Sequence, residues 1–450
     1  MKIRINHLET IMNSLLRIGL LAAFTIAPFW VQAQDDEKEP AKKEPVVAAK
    51  QYTDEIKALA QTPSVKKALA MFPEREAWTR QNLITLTEIP APPFAEEVRG
   101  RAYADMLRKV GADSVWTDEA GNVLAKRRGK SGNKTVVLEA HLDTVFPAET
   151  DVKIKQRGDT LYAPGVGDDT RGLAMVLTIL DVMEKTGVET DADVLFIGTV
   201  GEEGLGDLRG VKKLFNTPGL KIDSYIAIDG LGSTSITHRG LGSHRYLVTF
   251  KGPGGHSSGS FGLVNPHGAL GRAIYYFTQD ADKFTKQGVR TTYNVGIVGG
   301  GTSVNAIPFE SNMQVDMRSE SPEQLAGIDK LFQAAIQRAL REENAMKRLG
   351  PDLTVDIEMV GDRPSGSIDQ NNPLVQRAIA ATGHVGAQPA LRVGSTNSNI
   401  PFSKGVPAIT MGAGGKGGGA HALNEWWLDD KSYLAMQRTL LVLLAEAGVR

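Results

Sequence analysis

Four runs, Thr135-Val136-Val137-Leu138, Val194-Leu195-Phe196-Ile197, Tyr225-Ile226-Ala227-Ile228 and Pro407-Ala408-Ile409-Thr410-Met411, are apolar without polar alternation. A strand of that kind has no face for water, so it must be covered on both sides. Between the runs the spacing turns helical, as in Phe94, Val98, Met106, Leu107 and Val110, and over 172–184 and 207–215. The alternation predicts an α/β fold with a mostly parallel sheet and helices on both faces. The texture changes between 243 and 360. There the strand candidates 246–250, 292–298 and 312–317 alternate with polar residues, and helices open at Pro266 and Pro322 and run to about 277 and 341. An antiparallel sheet with helices on one face fits, bracketed by glycine-rich turns at 240–242 and 361–366 that read as hinges. The expected division is a catalytic domain in two parts, 51–242 and 361–450, interrupted by an inserted α+β lid at 243–360. The second part carries a helix near 373–381, the strand 407–411 and a terminal helix 431–447.

The start of the chain reads differently. Lys2, Arg4 and Arg17 precede an apolar run from Ile18 that ends at Val31-Gln32-Ala33, the pattern of a cleaved secretory signal at 1–33. The run is about 14 residues, short of the roughly 20 that span a bilayer. A charged, proline-bearing linker, 34–50, follows. The mature chain is therefore expected outside the cytoplasm, in a periplasm, and off the membrane. No cysteine is present, which removes disulfides, thiol nucleophiles and cysteine metal sites, so any metal must sit on His, Asp and Glu. With 51 basic against 52 acidic side chains there is no field to hold nucleic acid or anionic lipid. A small, locally recognised ligand is expected instead.

The residues suited to chemistry follow the apolar strands. His141 and Asp143 leave the same face at the end of the first, where open α/β sheets bind ligands. A neutral imidazole ligates a divalent metal, and a carboxylate on its other nitrogen fixes the tautomer, the part given to Asp143. Gly167-Asp168-Asp169 delivers paired carboxylates to the mouth of a helix, where they could equally cap it. Gly201-Glu202-Glu203 offers one carboxylate for a metal and a neighbour to take a proton from the metal's water, or else a solvated acidic turn. Asp229 ends another strand, and His421 follows the last. Together they form an N/O donor set on one rim that suits a pair of zinc ions. The run Gly412-Ala413-Gly414-Gly415-Lys416-Gly417 matches G-x-G-x-x-G, but no helix opens after it, so it reads as flexible backbone presenting His421. There is no G-x-S-x-G elbow for a serine nucleophile. His7, His238, His244, His267 and His384 receive no role.

In this order, His141-Leu142-Asp143-Thr144-Val145, Gly167-Asp168-Asp169, Gly201-Glu202-Glu203, Ile228-Asp229-Gly230 and Gly419-Ala420-His421 resemble the two-zinc family of peptidase T, glutamate carboxypeptidases, acetylornithine deacetylases, succinyl-diaminopimelate desuccinylases and aminoacylases. The segment 86–92 also resembles that family's opening helix and turn. The resemblance implies that His141 and Asp229 hold one zinc, Glu203 and His421 the other, and that Asp168 bridges them. Glu202 is then the general base and Asp143 orients His141; Co²⁺ or Mn²⁺ could replace zinc. It further implies that the lid mediates a homodimer, that His256 in Gly252-Pro253-Gly254-Gly255-His256-Ser257 stabilises the oxyanion, and that Asn305 and Arg318 hold the substrate's backbone or carboxylate. For Arg318 an ordinary ion pair is the competing reading. Arg392-Val393-Gly394-Ser395-Thr396-Asn397 departs from the family's usual Gly-Thr-Asp, which puts in doubt any pocket that needs a carboxylate there. The expected activity is hydrolysis of short peptides by a zinc exopeptidase, an aminopeptidase in the first place. A carboxypeptidase or a deacylase of N-acyl amino acids is the alternative, and an inactive binding protein a remote one.

Overall fold

The computed structural model describes residues 45–450. The expected secretory signal, 1–33, and residues 34–44 of the expected linker lie outside them. Strands Asp193–Thr199, Thr135–His141, Ser224–Ile228 and Ala408–Met411 lie side by side and parallel at the centre of one sheet. These are the four apolar runs of the sequence, and every residue of Asp193–Thr199 and Ser224–Ile228 is buried. The register sets His141 beside Thr199 and Met411 beside Ile228, so the carboxyl ends line up on one edge. The strands flanking this centre pair antiparallel, except Ala390–Gly394, which lies parallel to Ser235–Gly240. Val123–Arg127 and Ser114–Thr117 extend the centre on one side, and Ser235–Gly240, with Gly366–Ser367 and Ala390–Gly394, on the other.

Helices Thr170–Thr186 and Tyr433–Ala447 pack against the strand Thr135–His141. Helix Thr170–Thr186 is buried almost all round because Pro63–Thr87 covers it in turn. It stops at Gly187, whose φ of 66° is a left-handed cap that a side chain would strain.

The second sheet runs Thr291–Gly300, Glu310–Ser319, Gly242–Lys251, Thr354–Arg363, antiparallel throughout. Tyr246, Val248, Phe250, Met313, Val315 and Met317 face a core of their own, closed by Phe277 and Phe332 from helices Pro266–Phe284 and Pro322–Met346. Both helices start where the sequence has a capping residue before proline. The Asn265 side chain accepts from His267 N–H and Ser321 from Gln324 N–H. Each runs several residues past its expected end.

The 361–366 glycines are not a free hinge. Gly361 pairs with Arg245 inside the strand Thr354–Arg363, after a bulge, and Gly366 pairs with Gly240. A Cβ on Gly366 would lie 2.8 Å from the main chain of Phe402, so this glycine serves close backbone approach. The chain therefore stays in the second sheet to Arg363, which brings that arginine to the rim of the first. Among the described residues no helix is long and apolar enough to cross a membrane.

Candidate metal centre and active site

His141 is the last residue of its strand and is buried. Its Nδ1 donates to the Asp143 carbonyl oxygen at 3.0 Å, and its Nε2 faces Asp168 Oδ1 at the hydrogen-bond distance of 3.1 Å. Against the pull of burial, the Asp143, Asp168 and Asp169 carboxylates raise the imidazole well above its ordinary 6.5, and a metal held at Nε2 would take the place of that proton. Asp143 thus orients His141 through its main chain rather than its carboxylate, whose Oδ1 is 3.6 Å from Nδ1. The carboxylate instead accepts Glu202 N–H at 3.0 Å and Glu203 N–H at 2.7 Å, fixing the turn after the neighbouring strand.

The Asp168 carboxylate spans two imidazoles. Oδ1 faces His141, and Oδ2 lies 3.2 Å from His421 Nε2, which also meets Glu203 Oε1 at 3.0 Å. His141, Asp168 and Asp229 bring ligand atoms within 4.8 Å of one another, as do Asp168, Glu203 and His421, and His141, Glu202 and Glu203. The first two trios share Asp168. Burial raises the Asp229 carboxyl well above its ordinary range and the facing Asp168 raises it further. Among the described residues no group donates a hydrogen bond to that carboxylate. Burial likewise pushes Glu202 up to about 7, Arg363 pulling it down and Glu203 pushing it up. Hydrogen bonds that His421 donates to the Asp168 and Glu203 carboxylates push its imidazole up to about 10. Converging carboxylates without enough protein cations is an arrangement that a divalent ion relieves. Two His and three carboxylates are a donor set that zinc accepts, so the residues fit the group the sequence implied.

Asp169 is joined to Asp168 by a cis peptide bond and stands at the N-cap of Thr170–Thr186, but its side chain makes no cap hydrogen bond. Its Oδ2 accepts His141 N–H at 3.0 Å. Helix capping is therefore not the use of this acid pair.

Several residues that build the site were not singled out in the sequence. The Glu425 carboxylate accepts N–H groups of Gly165, Gly167 and Asp168 at 2.7, 2.7 and 2.9 Å, tying the loop after His421 to the loop that carries Asp168. Arg363, 4% exposed, donates from Nη1 to Glu202 Oε1 at 3.1 Å and from Nη2 to the Glu202 carbonyl. Arg171 donates to the Ala413 carbonyl and Arg438 to that of Gly412, both from full burial. They hold the glycine run 412–419, whose Lys416–Gly418 segment is a strand paired with Trp426–Leu428. No helix opens there. These partners are tens to hundreds of residues apart, and the one local signal was the Glu425 carboxylate four residues after His421.

The remaining expected residues lie outside the cluster. His256 is exposed on the ribbon Gly255–His256, paired with Ala306–Ile307. Its Nδ1 accepts Ser258 N–H and Gly259 N–H, which leaves Nε2–H as a donor toward solvent. Asn305 is exposed beside it, its carbonyl accepting Ser257 N–H and its side chain taken by Ser303. Arg318 is paired with Asp316 at 2.7 Å, and Asp316 also with Arg245. Asn397 is buried and turned into the sheet, donating to Thr199 Oγ1 at 2.9 Å and Glu139 Oε2 at 3.3 Å. Burial pushes that Glu139 carboxyl up to about 7, which a neutral neighbour in place of a second acid tolerates.

A family model described as Peptidase family M20/M25/M40 matches residues 137–446. The uncharacterised protein YqjE of Bacillus subtilis is 25% identical over 333 residues, 71% of this chain and 84% of that protein. Carboxypeptidase G2 of Pseudomonas sp. is 25% identical over 320 residues, 67% of this chain and 72% of that one. The crystal structure of aminopeptidase PepT from Bacillus cereus superposes with a TM-score of 0.63 at 18% identity, covering 82% of this chain and 98% of that one.

Proposed function

The chain belongs to peptidase family M20/M25/M40 and is a hydrolase of that family, and from this premise we propose that it is a two-zinc exopeptidase acting on short peptides, in the first place an aminopeptidase. The observation that carries the proposal is the Asp168 carboxylate set between the imidazoles of His141 and His421, with Glu202 in the same cluster. His141 and Asp229 would hold one zinc ion and Glu203 and His421 the other, with Asp168 between them. Bound there, the ions supply a water of lowered pKa and a polarising charge for the scissile carbonyl.

The rest falls to side chains of this protein. Glu202 takes a proton from the attacking water on a carboxylate oxygen and delivers it to the leaving nitrogen as the C–N bond breaks. Asp143 holds the Glu202 and Glu203 main chain in register with the attack. His256, with Nε2–H free, would donate to the carbonyl oxygen as charge develops, from its own lid or that of a second copy in a homodimer. Asn305 and Arg318 are proposed for the substrate's backbone and carboxylate. The protein would act outside the cytoplasm after cleavage behind Ala33.

A second reading, carboxypeptidase or deacylase of N-acyl amino acids, is favoured by one feature. Asn397 is turned away into the sheet and offers no carboxylate for a substrate ammonium, while the Arg318 guanidinium is a third exposed. Zinc-loaded enzyme given a tripeptide, its N-acetylated form and its C-amidated form separates the two. Loss of the first residue only from free-amine substrates supports the aminopeptidase. Cleavage that survives acetylation and needs the free carboxylate supports the second reading, and no cleavage of any of them sinks both.

A further inference from the structure

Glu202 and Glu203 are adjacent carboxylates, both with an oxygen within 4.8 Å of a ring nitrogen of His141, yet the proposed chemistry needs one as base and the other as ligand. Their chemistry is identical, so something outside the pair must tell them apart. Glu203 faces His421. Glu202 faces Arg363, the last residue of the second sheet's strand Thr354–Arg363, which reaches across from that sheet. We infer that Arg363 is the positioning residue that keeps Glu202 out of the metal's ligand set and so makes it the base.

The contact is a fork. Nη1 binds Glu202 Oε1 and Nη2 the carbonyl of the same residue, while Nη1 also meets Ser395 Oγ at 3.1 Å. Gripping side chain and main chain together fixes the rotamer, which a planar guanidinium does and a lysine ammonium does not. Both groups are buried, so neither can exchange the other for water, and each holds the other in place. With Arg363 removed, nothing else among the described residues donates to the Glu202 carboxylate, which would then be free to turn to a bound metal as a ligand. Arg245, a second bridge between the sheets, donates to the Gly204 carbonyl and leaves Glu202 untouched.

The inference rests on the reading of Glu202 as base, so the test carries that reading as a control. Purified wild type, E202Q, R363A, R363K and the double variant E202Q/R363A are compared for kcat, KM and zinc affinity on the tripeptide that the wild type cleaves. R363A should lose kcat by about a hundred-fold, the scale of a general base put out of place, with KM within about three-fold and zinc held at least as tightly. R363K should fall between, and it carries the test if R363A does not fold. In the E202Q background R363A should cost little more, because the residue it positions is gone. Loss confined to KM would make Arg363 a substrate anchor and overturn the inference. So would an equal loss of kcat with and without Glu202, or unchanged kcat. If E202Q is as active as wild type, the reading of Glu202 fails first and separately.

Discussion

Glu425 shows how a residue with no part in the chemistry can decide whether the site exists. One carboxylate collects three main-chain N–H groups around Asp168. Glu425→Gln leaves one of them facing an amide nitrogen, and zinc affinity should fall about ten- to a hundred-fold, as for other supports of metal ligands. Competition with a chromophoric chelator reads this, and unchanged affinity would remove Glu425 from the account. Gly172 is constrained from the other side of the same loop. A Cβ there would lie 2.1 Å from Asp169 Oδ1, which cannot retreat while Asp169 holds His141 N–H. Gly172→Ala should cost about 1–3 kcal/mol in urea unfolding; a neutral result would mean that Asp169 is free to move. The six members of the candidate cluster were legible from local motifs, His141, Glu202, Glu203 and Asp229 at or just past strand ends, Asp168 at the mouth of a helix and His421 in the loop after a strand. Arg363, Glu425 and Asn397 were not, because their meaning lies in partners 161, 257 and 198 residues away.

The strands and helices of the second sheet answer to their own core. Phe332 packs there against Tyr246 and Phe277, and Phe332→Ala should cost about 3–5 kcal/mol, read by denaturant unfolding, while zinc binding on the first sheet is kept. Loss of zinc at the same time would show that the two sheets do not stand independently. A pH signature belongs to this element as well. The hydrogen bond to Asp329 raises the His244 imidazole above its ordinary 6.5, with Asp362 3.7 Å from its other nitrogen. Against the pull of burial, bonds from His244, Tyr246 and Gln333 hold the Asp329 carboxyl below its ordinary 3.8. The His244 contribution is complete below 6.5 and is lost as pH rises through the raised value. The Asp329 contribution is complete above 3.8 and is lost as pH falls through the lowered one. Wild type should therefore exceed D329N in Tm most between the two, with the gap narrowing in alkali; a gap that widens there would reverse the assignment. Helices with a capping residue before proline were legible to the residue at their starts. The strand Thr354–Arg363 was hidden because its residues are half-exposed with no apolar run, and its bulge at Gly361 resembles a hinge.

At the scale of the whole molecule, four buried strands set the rim and the order of the motifs along the chain sets which residue reaches it. Their adjacency, with Asp193–Thr199 outside Thr135–His141 and Ala408–Met411 joining from the far end of the chain, was not legible. Apolar runs say that strands are central, not which ones are neighbours. The consequence of that adjacency is that Asp168 can face two imidazoles from opposite ends of the sequence. Zinc per chain, measured by elemental analysis after dialysis for wild type and Asp168→Ala, tests the central claim most directly. Two zinc ions in the wild type, with both sites weakened together in the variant, is the expected result. A single ion, or a variant that retains the wild-type count with undiminished affinity, would contradict a bridging Asp168 and the mechanism built on it.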